Sequence, residues 1–277
     1  MTRLAYLGPA GTFTEEAAAR YSPESELVPY SSEATVAAAV GSGDADECVL
    51  PIENSLEGSV NRTLDALVHD SQLAIRRELI LPIELCLIVR PGTKSGDVRV
   101  IYSKPEALNQ CRQFLDRRFP DARQEASLST TAAVETVLKE DGGAAVGAAR
   151  AAELYGAELF ARGIQDGRHN KTRFVVLAES DGEATGADKT SIAFSVPHDK
   201  PGTLVEVLHA FSDRSINLTK IESRPSREGL GIYIFLIDME GHRSDPQVRD
   251  ALAAVEEKAH FFRLLGSYPR YDDARDS

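Results

Sequence analysis

Two short polar stretches hold the residues of this chain best suited to chemistry. One is Pro-Ile-Glu-Asn-Ser-Leu-Glu-Gly-Ser-Val at 51–60, which follows an apolar run; the other is Asn-Lys-Thr-Arg-Phe at 170–174, which precedes one. Glu53, Asn54 and Ser55 in the first, with Thr172 and Arg173 in the second, place a carboxylate, amides, hydroxyls and a guanidinium beside backbone expected to be buried. Such groups cost several kcal/mol when buried without partners. A cluster of them at strand ends is therefore either a satisfied turn network or a site for a polar ligand. Both readings are open on these residues alone.

Other chemistries find little support. The six histidines (His69, His169, His198, His209, His242 and His260) show neither HExxH nor i, i+4 pairing, and Cys48, Cys86 and Cys111 lack zinc spacing. The odd number of cysteines without CxxC suggests reduced, buried thiols rather than a disulfide framework. There is no GxSxG, Walker loop or GxGxxG, so nucleophile-elbow, phosphoryl-transfer and hydride chemistry lose support. His169 reads as a surface residue, and the pairs Glu15–Glu16 and Glu256–Glu257 as solvated helix faces.

The elements that must position these groups alternate between strand-like and helix-like runs, an α/β pattern expected to form largely parallel sheets. Thr12-x-x-Glu15 and Ser103-x-x-Glu106 read as capping boxes, and Ser129 with Thr130 precedes another helix. Residues 48–52 read as a strand leading to a helix with Val60, Leu64, Leu67 and Val68 on one face; a later helix has Leu108, Cys111, Phe114 and Leu115 inward. Open α/β sheets bind anions beyond the carboxyl ends of their strands, where helix N-termini present free N–H groups. Ser and Thr are also ordinary N-caps, so each start has a purely local explanation.

With 277 residues and 42% hydrophobic content the chain can form two cored units. A net charge of −12 disfavours nucleic acid and anionic membrane as partners. The early Gly-Pro turn argues against a signal peptide and no run approaches 18 apolar residues, so a soluble cytoplasmic protein is expected. A polar stretch at 181–189 reads as a linker, and a βαββαβ order follows it, with a helix near Pro201 and another from about 245 to 258.

Together with Leu-Gly-Pro-Ala-Gly-Thr-Phe at 7–13, Ile-Tyr-Ser-Lys-Pro-Glu-Ala-Leu-Asn-Gln-Cys at 101–111 and the 151–166 segment, the two polar stretches resemble the prephenate dehydratase family over about 2–178. Residues 191–226 resemble its ACT regulatory domain. The resemblance implies a catalytic domain over 1–180 like type II periplasmic binding proteins, with lobe one at 1–78 plus 165–178 and lobe two at 79–164. A linker at 181–189, a ferredoxin-like ACT domain at 190–270 and a tail at 271–277 complete it.

The implied reaction is loss of carbon dioxide and water from prephenate to give phenylpyruvate, a lyase step needing no cofactor or metal because electrons flow across the ring to the leaving hydroxyl. By the same resemblance Thr172 sits at that hydroxyl and Arg173 clamps a carboxylate, although a salt bridge between the lobes is its rival role. Phe174 walls the ring, and Asn54, Ser55, Thr12, Ser103 and Thr130 hydrogen-bond the substrate, with Glu53 orienting Asn54 or acting as an acid. The chain departs from the family pattern at Lys104, Glu84, Ala148 and Thr14; Lys104 could add a second cation for the dianion.

In the ACT region Gly202, Thr203, Leu204, Asn217, Leu218, Glu222, Ser223, Arg224 and Pro225 resemble an allosteric phenylalanine site. In this family the site forms between subunits, which implies a homodimer or homotetramer. Arogenate dehydration and a catalytically silent acid sensor are the alternatives.

Overall fold

The computed structural model describes residues 1–167, 169–196, 201–227 and 232–272. His198 and tail residues 273–277 lie outside the described residues. Chain order begins β1 (Arg3–Leu7), α1 (Phe13–Tyr21), β2 (Glu26–Tyr30), α2 (Glu33–Gly41), β3 (Glu47–Asn54), β4 (Gly58–Ser59) and α3 (Asn61–Asp65). It continues with a π-helical turn at Ala66–Asp70, then β5 (Ala74–Pro82), β6 (Cys86–Val89), β7 (Val100–Ser103), α4 (Pro105–Gln110), α5 (Arg112–Arg118) and β8 (Arg123–Ala126). Next come α6 (Thr130–Lys139), β9 (Gly143–Gly147), α7 (Ala149–Tyr155), β10 (Glu158–Ala161) and β11 (Lys171–Ala178). The last elements are β12 (Asp188–Ser195), α8 (Thr203–Ser212), β13 (Leu218–Pro225), β14 (Tyr233–Glu240), α9 (Pro246–Lys258) and β15 (Phe261–Pro269).

The two-lobed α/β part expected from sequence appears as two sheets with their helices, and the βαββαβ unit follows it. One sheet has the order β2-β1-β3-β11-β5 with β4 on β3, the second β10-β6-β9-β7-β8, and the third β13-β14-β12-β15. The sheets are mixed rather than largely parallel. β1–β2, β7–β8 and β7–β9 are parallel, whereas β6 runs antiparallel to both β9 and β10. Apolar runs buried on both faces look alike in either direction, so strand sense was hidden from the pattern.

The chain divides into two compact units. The first comprises Met1–Val36, Val49–Val60 and Ile80–Phe174. One of its cores packs Leu85, Leu87 and Ile101 on Leu108, Cys111 and Leu115; another sets Ile88 and Ala145 against Val134 and Val137 of α6. The three cysteines are free and buried, as read from their spacing. The helix expected across 108–115 breaks at Cys111, whose backbone (φ −110°, ψ 10°) separates α4 from α5.

The second unit comprises Ala37–Cys48, Asn61–Leu79 and Val175–Ser277. Val207 and Phe211 of α8 and Val248, Ala251 and Val255 of α9 cover one face of its antiparallel sheet. Gly266 of β15 is obligatory: a Cβ there would lie 2.4 Å from the Ile75 carbonyl oxygen. Near it the Lys189 ammonium donates to both oxygens of Glu78 at 2.9 Å, and the Tyr271 N–H adds a third bond to that carboxylate. Glu78 is 1% exposed, so deleting the segment that carries Lys189 would leave a buried charge without its partner. The 181–189 stretch is also more ordered than its composition implies. Gly182 N–H donates to the Ser267 carbonyl, Thr185 and Gly186 bond the Asp188 carboxylate, and β12 already begins at Asp188.

Candidate active site

The two polar stretches meet within the first unit, where the end of β3 approaches the start of β11. The Ser55 N–H donates to the Lys171 carbonyl at 2.9 Å, the Lys171 N–H to the Ser55 hydroxyl at 3.0 Å, and that hydroxyl to the His169 carbonyl at 2.8 Å. Ser55 is thereby occupied as a clasp between the segments. Asn54 uses every polar atom of its side chain. Its Oδ1 accepts from the backbone of Leu56 (2.9 Å) and Glu57 (3.1 Å), and its Nδ2 donates to Asn170 Oδ1 (2.8 Å) and Thr172 Oγ1 (2.9 Å).

That geometry decides what Thr172 can offer. Its oxygen is an acceptor for Asn54, so its own proton points elsewhere, and among the described residues no acceptor takes it. Thr172 is 8% exposed, and a hydroxyl whose oxygen accepts while its proton has no acceptor has a hydrogen-bond donor to offer.

Sequence reasoning missed three members of this network, although each lies inside a stretch it singled out. Asn170 donates through Nδ2 to Gln110 Oε1 at 2.7 Å, and Gln110 donates through Nε2 to Glu57 Oε1 at 2.6 Å. Partial burial and Glu106 push the Glu57 carboxyl above its usual range, against the opposing pull of Lys104 and the Gln110 bond.

Arg173 and Phe174 are placed differently from the clamp and ring wall. Arg173 alternates to the other side of β11 from Thr172, and its Nη1 lies 3.6 Å from Glu53 Oε2 on the adjacent strand β3, with the guanidinium mostly buried and the carboxylate more than a third exposed. The guanidinium is paired with Glu53 of the neighbouring strand of the same sheet, rather than with a residue of the second lobe as its rival role would have it. Phe174 is 1% exposed and belongs to the interior, on the same side of β11 as Thr172, rather than presenting an open ring face as a ligand wall would.

The hydroxyls at helix starts divide. Thr12 caps α1, accepting from Glu15 N–H at 3.3 Å, while the Glu15 carboxylate turns to the Gly11 N–H instead of closing the box on Thr12. Ser129, not Thr130, caps α6 by accepting from Ala132 N–H at 2.9 Å. The Thr130 hydroxyl is half-buried and makes no hydrogen bond among the described residues. Ser103 does not cap α4. It is the last residue of β7, fully buried, and donates to the Val146 carbonyl at 2.6 Å, while Lys104 holds the cap position and Pro105 fixes the first helical φ. Lys104 is exposed with no ion pair among the described residues, and its charge favours the ionised form of Glu57.

In the second unit Gly202 has φ +94° at the start of α8, and a Cβ there would meet nothing within 4 Å. Its need for glycine is conformational rather than steric. Asn217 and Ser223 are exposed, Glu222 lies 3.4 Å from Lys220, and Arg224 donates to the Asn61 carbonyl (3.1 Å) and to Asp65 (2.9 Å), both on α3.

A family model described as prephenate dehydratase matches residues 4–182, and one described as ACT domain matches 190–257. A prephenate dehydratase of Mycobacteroides abscessus is 41% identical over 280 residues, which span 98% of this chain and 91% of the relative. The solved prephenate dehydratase of Arthrobacter aurescens in complex with L-Phe is similar at TM-score 0.90 and 38% identity, covering 97% of this chain and 90% of that one. A structure described as GqqA, a novel type of quorum quenching acylase, is similar at TM-score 0.89 and 28% identity, covering 99% and 100%. One fold therefore spans differently described chemistries, and the side chains at the site must decide between them.

Proposed function

The chain belongs to the prephenate dehydratase family, and from that premise we infer that its site expels the ring hydroxyl of prephenate as the ring carboxylate leaves. The carbon–carbon bond to the carboxylate breaks, its electron pair moves through the ring, and the carbon–oxygen bond opposite breaks to release hydroxide. Phenylpyruvate, carbon dioxide and, after protonation, water result, so the protein need supply no electron sink. Its task is to stabilise negative charge growing on the leaving oxygen. The uncommitted proton of Thr172 is the observation that carries this reading. A threonine hydroxyl is too weak an acid to protonate the oxygen outright, so Thr172 contributes a hydrogen bond and water supplies the proton. Thr12, Thr130 and Lys104 are assigned to the substrate's carboxylates, and the Glu53–Arg173 pair supports the strand that carries Thr172.

The same reading makes the chain a cytoplasmic carbon–oxygen lyase, acting as a homodimer or homotetramer with phenylalanine as effector. Incubating the purified chain separately with prephenate and with arogenate tests the substrate. Phenylpyruvate from prephenate at the higher rate is expected; phenylalanine from arogenate with nothing from prephenate would overturn the assignment.

Regulation is assigned to the 222–225 segment acting through Arg224, whose bonds to Asn61 and Asp65 reach the chain segment that begins at Asn54. Asp65 is also 2.5 Å from Arg227, so Asp65→Asn weakens two pairs at once. In a titration of phenylalanine against initial rate, this variant is expected to need at least about fivefold more phenylalanine for half-inhibition. An unchanged titration would remove the contact from regulation.

A further inference from the structure

The hydrogen bonds around Thr172 close into a ring. Asn54 Nδ2 donates to Asn170 Oδ1, Asn170 Nδ2 to Gln110 Oε1, Gln110 Nε2 to Glu57 Oε1, and the Glu57 N–H returns to Asn54 Oδ1. Every donor points the same way around. A side-chain amide can present either end, so a chain of three would be free to reverse unless something fixed its sense. Two features fix it. The backbone N–H groups of Leu56 and Glu57 hold Asn54 Oδ1, and a carboxylate at Glu57 can only accept. With both ends set, Asn170 must turn its oxygen to Asn54, and Asn54 must present its NH2 to Thr172. Reversal of Asn170 and Gln110 would set NH2 against NH2 at Asn54, and the repulsion would draw the Asn54 NH2 off Thr172, the donor that leaves its proton free.

We propose that Glu57 is a positioning residue for the dehydration: its carboxylate anchors the sense of the Gln110–Asn170–Asn54 amide chain and thereby keeps the Thr172 proton directed at the leaving oxygen. Glu57 itself touches none of the reacting atoms. The proposal rests on the reading of Thr172 given above and adds to it a residue that composition and spacing do not distinguish from a solvated turn glutamate.

The test compares Glu57→Ala and Glu57→Gln with the native chain in steady-state turnover of prephenate, alongside thermal unfolding and side-chain amide NMR. Both variants keep the backbone N–H that holds Asn54. Glu57→Ala removes the terminal acceptor and is expected to lower kcat about tenfold with KM within about twofold, as loss of a hydrogen bond to a charged group would at one remove from the reacting oxygen. Glu57→Gln returns an acceptor that can also turn its NH2 toward Gln110, so its kcat should lie between that of Glu57→Ala and native. In Glu57→Ala the side-chain NH2 resonances of Asn170 and Asn54 should move together with that of Gln110.

Native kcat in Glu57→Ala would overturn the proposal. So would a fall in kcat that tracks a fall in Tm and is not lessened by glutamine, or a change confined to KM. A folded native chain without turnover would instead sink the reading of the reaction. In that case the NMR arm still decides the ring, since Asn54 and Asn170 resonances unmoved by Glu57→Ala would show that the carboxylate does not set its sense.

Discussion

Thr172→Ala is expected to lower the turnover number by on the order of a hundredfold or more while changing the Michaelis constant little. Thr172 is 8% exposed, its oxygen is occupied by Asn54, and its proton is what it has left for a ligand. A donor of that kind gains most as charge develops on the departing oxygen, so its loss falls on kcat rather than on binding. Thr172→Ser keeps the hydroxyl and should retain most of the rate. Steady-state kinetics of the two variants checks this; near-native turnover in Thr172→Ala would take the residue out of the chemistry.

Asn54→Asp is expected to have a larger effect, on the order of a thousandfold in kcat, from the exchange of one NH2 for an oxygen. The new carboxylate would still accept from the Leu56 and Glu57 backbone, so the turn after β3 should persist. It could not donate to Asn170 or Thr172. An oxygen would then face Asn170 Oδ1 and draw the Thr172 proton to itself, leaving the substrate without its donor. A carboxyl set among acceptors favours its protonated form, so its pKa is raised. As the pH falls the protonated carboxyl can donate again, and part of the lost activity should return. A pH–rate profile of the variant reads this directly, and a rate that falls further at low pH relative to native would contradict it.

Local features of the fold were legible in the sequence, whereas features that depend on remote partners were not. Thr12 and Ser129 are caps because a hydroxyl and an N–H three residues on meet within one helical turn. The order of strands and helices after Gly182 was equally plain, because each element carries its own apolar period. Ser103 shows the limit. Its spacing to Glu106 has the form of a capping box, yet its hydroxyl is spent on Val146, a bond spanning 43 positions along the chain. Phe174 has the aromatic face of a ligand wall, but it is 1% exposed and packed into the interior on the same side of β11 as Thr172.

The site divides along the same line. Asn54 and Thr172 stood out because they lie in polar stretches at the ends of apolar runs. Their partnership joins residues 118 positions apart, and the Gln110 bonds that complete the ring span 60 and 53 positions. Neither residue type nor spacing encodes such closures. Glu57 and Gln110 read as ordinary polar residues until the fold brings them together.

The most direct measurement of the central claim uses the native chain after exhaustive chelation, with prephenate as substrate and both carbon dioxide and phenylpyruvate quantified over the initial rate. If electron flow across the ring expels the hydroxyl with only hydrogen bonds to assist it, the two products appear in equal amounts at a rate that chelation leaves undiminished. Carbon dioxide released without phenylpyruvate, a rate abolished by chelation and restored by metal, or no product from the folded chain would each contradict it.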